Sequence, residues 1–80
     1  MLDQVSMNLV PLELLKSGER AEILEVDGGS EDVHRLAELG IQSGAAVEMV
    51  QPGTPCILTV NDRRFTLRLD PAVMVLVRTA

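Results

Sequence analysis

Eighty residues bound a single domain, and its core must come from Leu, Val, Ile and Met, because Phe65 is the only aromatic side chain. Seven Lys and Arg against twelve Asp and Glu give a formal net charge of −5, which argues against a basic phosphate-binding face and so against nucleic acid as a partner. Cys56 stands alone and excludes an internal disulfide, as expected in a reducing cytoplasm; there is no signal-peptide pattern, and the apolar run at 73–77 is far too short to span a bilayer.

Residues 1–10 read as an N-terminal tail, patternless over 1–8, and 11–80 as the folded domain. Pro11-Leu12-Glu13-Leu14-Leu15 reads as one helical turn opened by proline and ended by Gly18. The first strand is expected over 20–26, with Ile23, Leu24 and Val26 as its apolar members. Gly28-Gly29 then breaks the chain before a short helix. Ser30 is placed to cap that helix with its hydroxyl. Glu31 and Asp32 load the first turn with the charge the helix dipole favours. Val33, Leu36 and Ala37 fall three and four apart and make one narrow apolar stripe. Gly40 is placed to end the helix in a left-handed conformation, with Ile41 folding back on Leu36.

Gly44 opens a second strand at 45–50, and the two prolines and glycine of 51–55 predict a turn. Residues 56–60 and 64–69 flank Asn61-Asp62-Arg63 and predict a hairpin. Within it Phe65, Leu67 and Leu69 alternate with Arg64, Thr66 and Arg68, the period of a half-buried strand. After a turn at 70–72, residues 73–78 are apolar at nearly every position, which implies burial on both faces or pairing across a closed sheet. The sum is a mainly β fold: a small barrel of about five strands, one short α-helix between the first two, and a short N-terminal helical turn. Closure is expected to hide most strand edges.

Catalytic chemistry finds little support: Ser6, Ser17, Ser30 and Ser43 are candidate nucleophiles, but only His34 could serve as an imidazole base. A Ser or Cys nucleophile needs a positioned base and an orienting third group, and Cys56 reads as a small buried side chain. Gly28-Gly29 lacks the context of a nucleotide-binding loop. Metal ligation has three weak candidates: Glu31, His34 and Glu38 are three and four apart and share one helix face. Imidazole and carboxylate suit Fe(II) or Mn(II), but one histidine with flexible carboxylates binds weakly, so no resident cofactor is expected. For an interaction surface, Leu39 lies off the apolar stripe and is flanked by Arg35 and Glu38, an apolar anchor in a polar rim. Leu12, Leu14 and Leu15 either close one end of the barrel or extend that surface. Arg68 is expected to hold the Asp70 turn or a helix carboxylate.

In order and spacing the chain resembles the FeoA family of ferrous-iron-transport accessory proteins. The resemblance rests on Leu12, Leu15 and Gly18, then Ala21, Ile23 and Val26 leading to Gly28-Gly29. It continues through Arg35-Leu36, Leu39-Gly40-Ile41 and Gly44, and closes with Pro55, Leu67-Arg68, Ala72 and residues 75–77. It implies an SH3-like barrel in the cytoplasm and a non-enzymatic role supporting FeoB, the membrane permease for Fe(II) that carries a GTP-binding domain. The protein would then sit at the inner face of the plasma membrane through its partner, without inserting. The expected contact surface is Arg35, Glu38 and Leu39, with Leu12 and Leu15. A homo-oligomer is compatible with the Leu-rich ends. The competing reading is a metal-sensing domain related to the C-terminal barrel of metal-dependent repressors, which also need a DNA-reading domain that this sequence lacks.

Overall fold

A computed structural model describes residues 8–79; the expected tail over 1–7 lies outside the described residues. Six strands and one α-helix follow in the order β1 (Asn8–Pro11), a 3-10 turn (Leu12–Leu14), β2 (Arg20–Asp27), α1 (Ser30–Glu38), β3 (Ala46–Gln51), β4 (Cys56–Val60), β5 (Arg63–Leu67) and β6 (Met74–Thr79). All pairings are antiparallel in one curled sheet of order β1-β6-β2-β3-β4-β5.

The first strand is a correction. Asn8, Leu9 and Val10 were expected in the tail and Pro11 at the head of a helical turn. They instead pair with the end of the chain, Asn8 opposite Thr79 and Pro11 opposite Leu76. The folded unit therefore begins by residue 8. A four-residue strand ending in proline has no period of its own to detect; the pairing with β6 makes it a strand, and its place at the sheet edge tolerates the proline.

Two bulges curl the sheet. The β2–β6 register slips between Ile23 and Glu25, and the β3–β4 register between Met49 and Gln51. The extra residues, Leu24 and Val50, bend their strands and sharpen the local twist. Bent in this way, β2 pairs with β3 through Arg20–Glu22 and with β6 from Ala21 to Asp27. The ladder does not close: β1 and β5 remain its two edges, where closure had been expected to hide them.

The core lies on the concave face. Ile23, Ile41, Met49, Leu58, Val75 and Val77 are buried there, joined by Leu36 from α1 and Leu12 and Leu15 from the first turn. Strand β6 is a second correction. It is one-sided, with Val75, Val77 and Thr79 turned in and Met74 exposed. An antiparallel strand can face water on one side even when its outward residues are apolar.

Helix α1 begins one residue earlier than expected. Gly29 is its N-cap and Ser30 its first helical residue, so the hydroxyl cap expected of Ser30 is not made. The carboxylates of Glu31 and Asp32 remain in the first turn. The far end matches the glycine stop in detail. Gly40 has φ 93°, its N–H donates to the Ala37 carbonyl at 2.9 Å, and the Ile41 N–H donates to the Leu36 carbonyl at 2.9 Å. This is the double bond of a Schellman stop, with Ile41 and Leu36 both in the core. A Cβ on Gly40 would lie 2.6 Å from Asn61 Nδ2, so the stop is pressed against the tip of the β4–β5 hairpin. That tip is tighter than expected. Asn61 and Asp62 alone form it, at φ 53° and 63°, and Arg63 already pairs with Val60. Two left-handed residues in a two-residue loop define a type I′ turn, whose twist matches the strands.

Candidate functional site: a cleft beside the helix

The apolar stripe of α1 fixes where its other residues go. Leu36 enters the core, which turns Asp32, Arg35 and Leu39 toward the segment joining β5 to β6. Between them lies a cleft of about 450 Å³. Leu36, Leu39, Leu67, Leu69 and Val73 give it an apolar floor, and Asp32, Arg35, Arg68 and Asp70 a charged rim. The β5–β6 wall is held by its own turn: Asp70 Oδ1 accepts from the Ala72 N–H at 2.8 Å, and the Val73 N–H donates to the Asp70 carbonyl at 2.9 Å. Backbone donors, not Arg68, therefore satisfy Asp70. No ion pair or side-chain hydrogen bond among the described residues engages the guanidinium of Arg68 or Arg35, contrary to the holding role expected of Arg68.

The expected contact residues divide. Arg35 and Leu39 meet in the cleft, Leu39 half-buried against the core. Glu38 faces the neighbouring side of α1, where its carboxylate lies 3.4 Å from His34 Nε2. Leu12 and Leu15 are 0% and 1% exposed, so they belong to the core and offer no surface. Leu14, between them, is 64% exposed and is the side chain of that turn which reaches solvent. Three leucines in one turn carry no period long enough to tell which points in. The floor residues Leu67, Leu69 and Val73 were legible as strand residues but not as parts of a site, because only the fold brings them to α1.

Glu31 lies beside His34 and Glu38 on a shallow, open part of the helix face. His34 and Glu38 are both well exposed, and no three His, Cys, Asp or Glu side chains gather as a metal site among the described residues. This donor set does not fit a tightly held transition metal, which takes several converging ligands. Cys56 is buried, and burial pushes its thiol above the ordinary value, so the thiolate needed for nucleophilic attack is disfavoured.

Curled antiparallel strands, one short helix and an apolar cleft define a small SH3-like barrel domain. Within that class the chain belongs to the FeoA family, whose domain model matches residues 10–79. A crystal structure of an iron uptake regulatory protein (FeoA) superposes with a TM-score of 0.83 at 25% identity, covering 91% of this chain and 100% of that one. The solution structure of the FeoA protein from Chlorobium tepidum gives 0.76 at 30% identity, covering 88% and 70%. T. acidophilum IdeR shares the fold, with a TM-score of 0.73 at 22% identity over 96% of this chain and 37% of that one. Among curated proteins, none matches the chain.

Proposed function

We propose that this protein is a non-enzymatic accessory of ferrous iron uptake that works by gripping the cytoplasmic GTP-binding part of a FeoB-type permease. The cleft beside α1 carries the reading. Its apolar floor and charged rim have the anatomy of a protein contact, an anchor pocket ringed by polar groups. Leu39 and Arg35 supply the anchor wall and the rim charge; Glu38 lies outside the cleft and contributes at most to the periphery. Membership of the FeoA family, and the iron-uptake name of one similar structure, support iron transport as the setting. No helix among the described residues is long and apolar enough to cross a membrane; in this reading it is the permease that brings the protein to the inner face of the membrane.

The test pairs Arg35→Glu and Leu39→Ala with iron uptake in a strain that depends on this protein. Arg35 is exposed, so its variant should melt like the wild type while co-purification of the permease's GTP-binding domain falls about tenfold or more. Normal uptake and normal co-purification by both folded variants would rule the cleft out. The His34–Glu38 contact, an imidazole beside a carboxylate, favours one second reading, a metal sensor. Anaerobic calorimetry of Fe(II) and Mn(II) against wild type and His34→Ala separates the two. Tight binding lost in the variant would replace the first reading with the second.

A further inference from the structure

The geometry points to a second contact surface, on the opposite wall from the helix: the free edge of β5 takes an acidic, extended segment of a partner protein as an added strand. Three observations carry it. First, β5 ends the ladder, and no backbone hydrogen bond outside its pairing with β4 engages Arg63–Leu67 among the described residues. The two-residue turn makes Val60 and Arg63 a hydrogen-bonded pair, so the N–H and C=O groups of Arg64 and Thr66 point away from β4 and are left for a newcomer.

Second, charge is concentrated here against the trend of the molecule. The net charge is −5, yet Arg63, Arg64 and Arg68 fall within six residues that hold no Asp or Glu. Arg20 and Arg78 are paired with Glu48 and Glu22, whereas no ion pair among the described residues engages Arg63, Arg64 or Arg68. Third, the two faces of the edge ask for different side chains. Phe65, opposite buried Leu58, is only half-buried, while Arg64 and Thr66 face solvent. An incoming strand meets Phe65 and Leu67, with Arg63 at their head, on one face and Arg64 and Thr66 on the other; Arg68 follows one residue past the end of β5, about 13 Å from Arg64 for an extended chain. The fitting segment alternates acidic and apolar residues. Strand addition supplies main-chain bonds, and the alternate side chains supply the choice of partner. The overall negative charge disfavours nucleic acid or an anionic membrane on the same edge.

The test is NMR titration of the intact protein with a peptide of about seven residues alternating Glu and Val, and with its Lys-Val counterpart. The Glu-Val peptide should shift and protect the amides of Arg64 and Thr66. Arg64→Glu combined with Arg68→Glu should weaken it about tenfold or more at low salt. Thr66→Pro removes an outward donor without touching the β4 ladder, and should abolish binding in a protein that still folds. Equal binding of the Lys-Val peptide, unchanged affinity in the double variant, or shifts confined to the cleft would overturn the proposal. So would no binding at all, which would leave the arginines as guards against edge-to-edge aggregation. Leu67 and Arg68 border both surfaces, whereas Arg35 lines only the cleft and Arg64 only the edge; Arg35→Glu should therefore leave peptide binding intact, and Arg64→Glu alone should already weaken it.

Discussion

Leu12 and Leu14 lie in one 3-10 turn and have opposite surroundings, 0% and 64% exposed. Truncating a fully buried leucine removes transfer energy and leaves a cavity; Leu12→Ala should cost about 3 kcal/mol. Leu14→Ala removes surface that water already touches and should fall within about 0.5 kcal/mol of the wild type. Urea unfolding monitored by circular dichroism measures both, and equal losses would mean the turn is rotated from its described position. The same contrast bears on function. Because Leu12 and Leu15 are core, any uptake defect from changing them would report lost stability rather than a lost contact.

At the scale of elements, the β4–β5 hairpin shows what left-handed residues cost. Asp62 holds φ 63° in the second loop position, where glycine fits without a Cβ penalty. Asp62→Gly should therefore raise stability by about 0.5–1 kcal/mol, read as a higher urea midpoint with unchanged slope. Gly40 is the converse: its φ of 93° strains any residue with a Cβ, and that Cβ would also displace the Asn61 amide, 2.6 Å away. The Gly40 stop and the presence of the hairpin were legible in the sequence, because both are set by neighbours a few residues apart, but the loop was read as three residues rather than two and the left-handed Asp62 was not foreseen. The alternation of Phe65 and Leu67 with Arg64 and Thr66 was legible for the same reason. Strand β1 was not, since its four residues become a strand only by lying against β6 at the far end of the chain. The cleft was half legible. Arg35 and Leu39 stood out on α1, but the opposing Leu67, Leu69 and Val73 are joined to them only by the curl of the sheet.

For the whole molecule, the six strands share one curled sheet in which β6 lies between β1 and β2. Strand β1 therefore shields the edge of β6, whose outward residues include exposed Met74 and half-buried Leu76. Removing residues 1–11 should bare that edge, lower the melting temperature and produce concentration-dependent association in sedimentation experiments; a monomer of unchanged stability would show that β1 is dispensable. The same arrangement orders events during synthesis. Although β1 and β2 are translated first, neither has its β6 partner until the sixth strand has been made, so hydrogen bonding between the two ends of the domain comes late. A nascent chain in this condition depends on its local hairpin and helix stop for early structure, and the slow part of its maturation is the search that brings distant segments together.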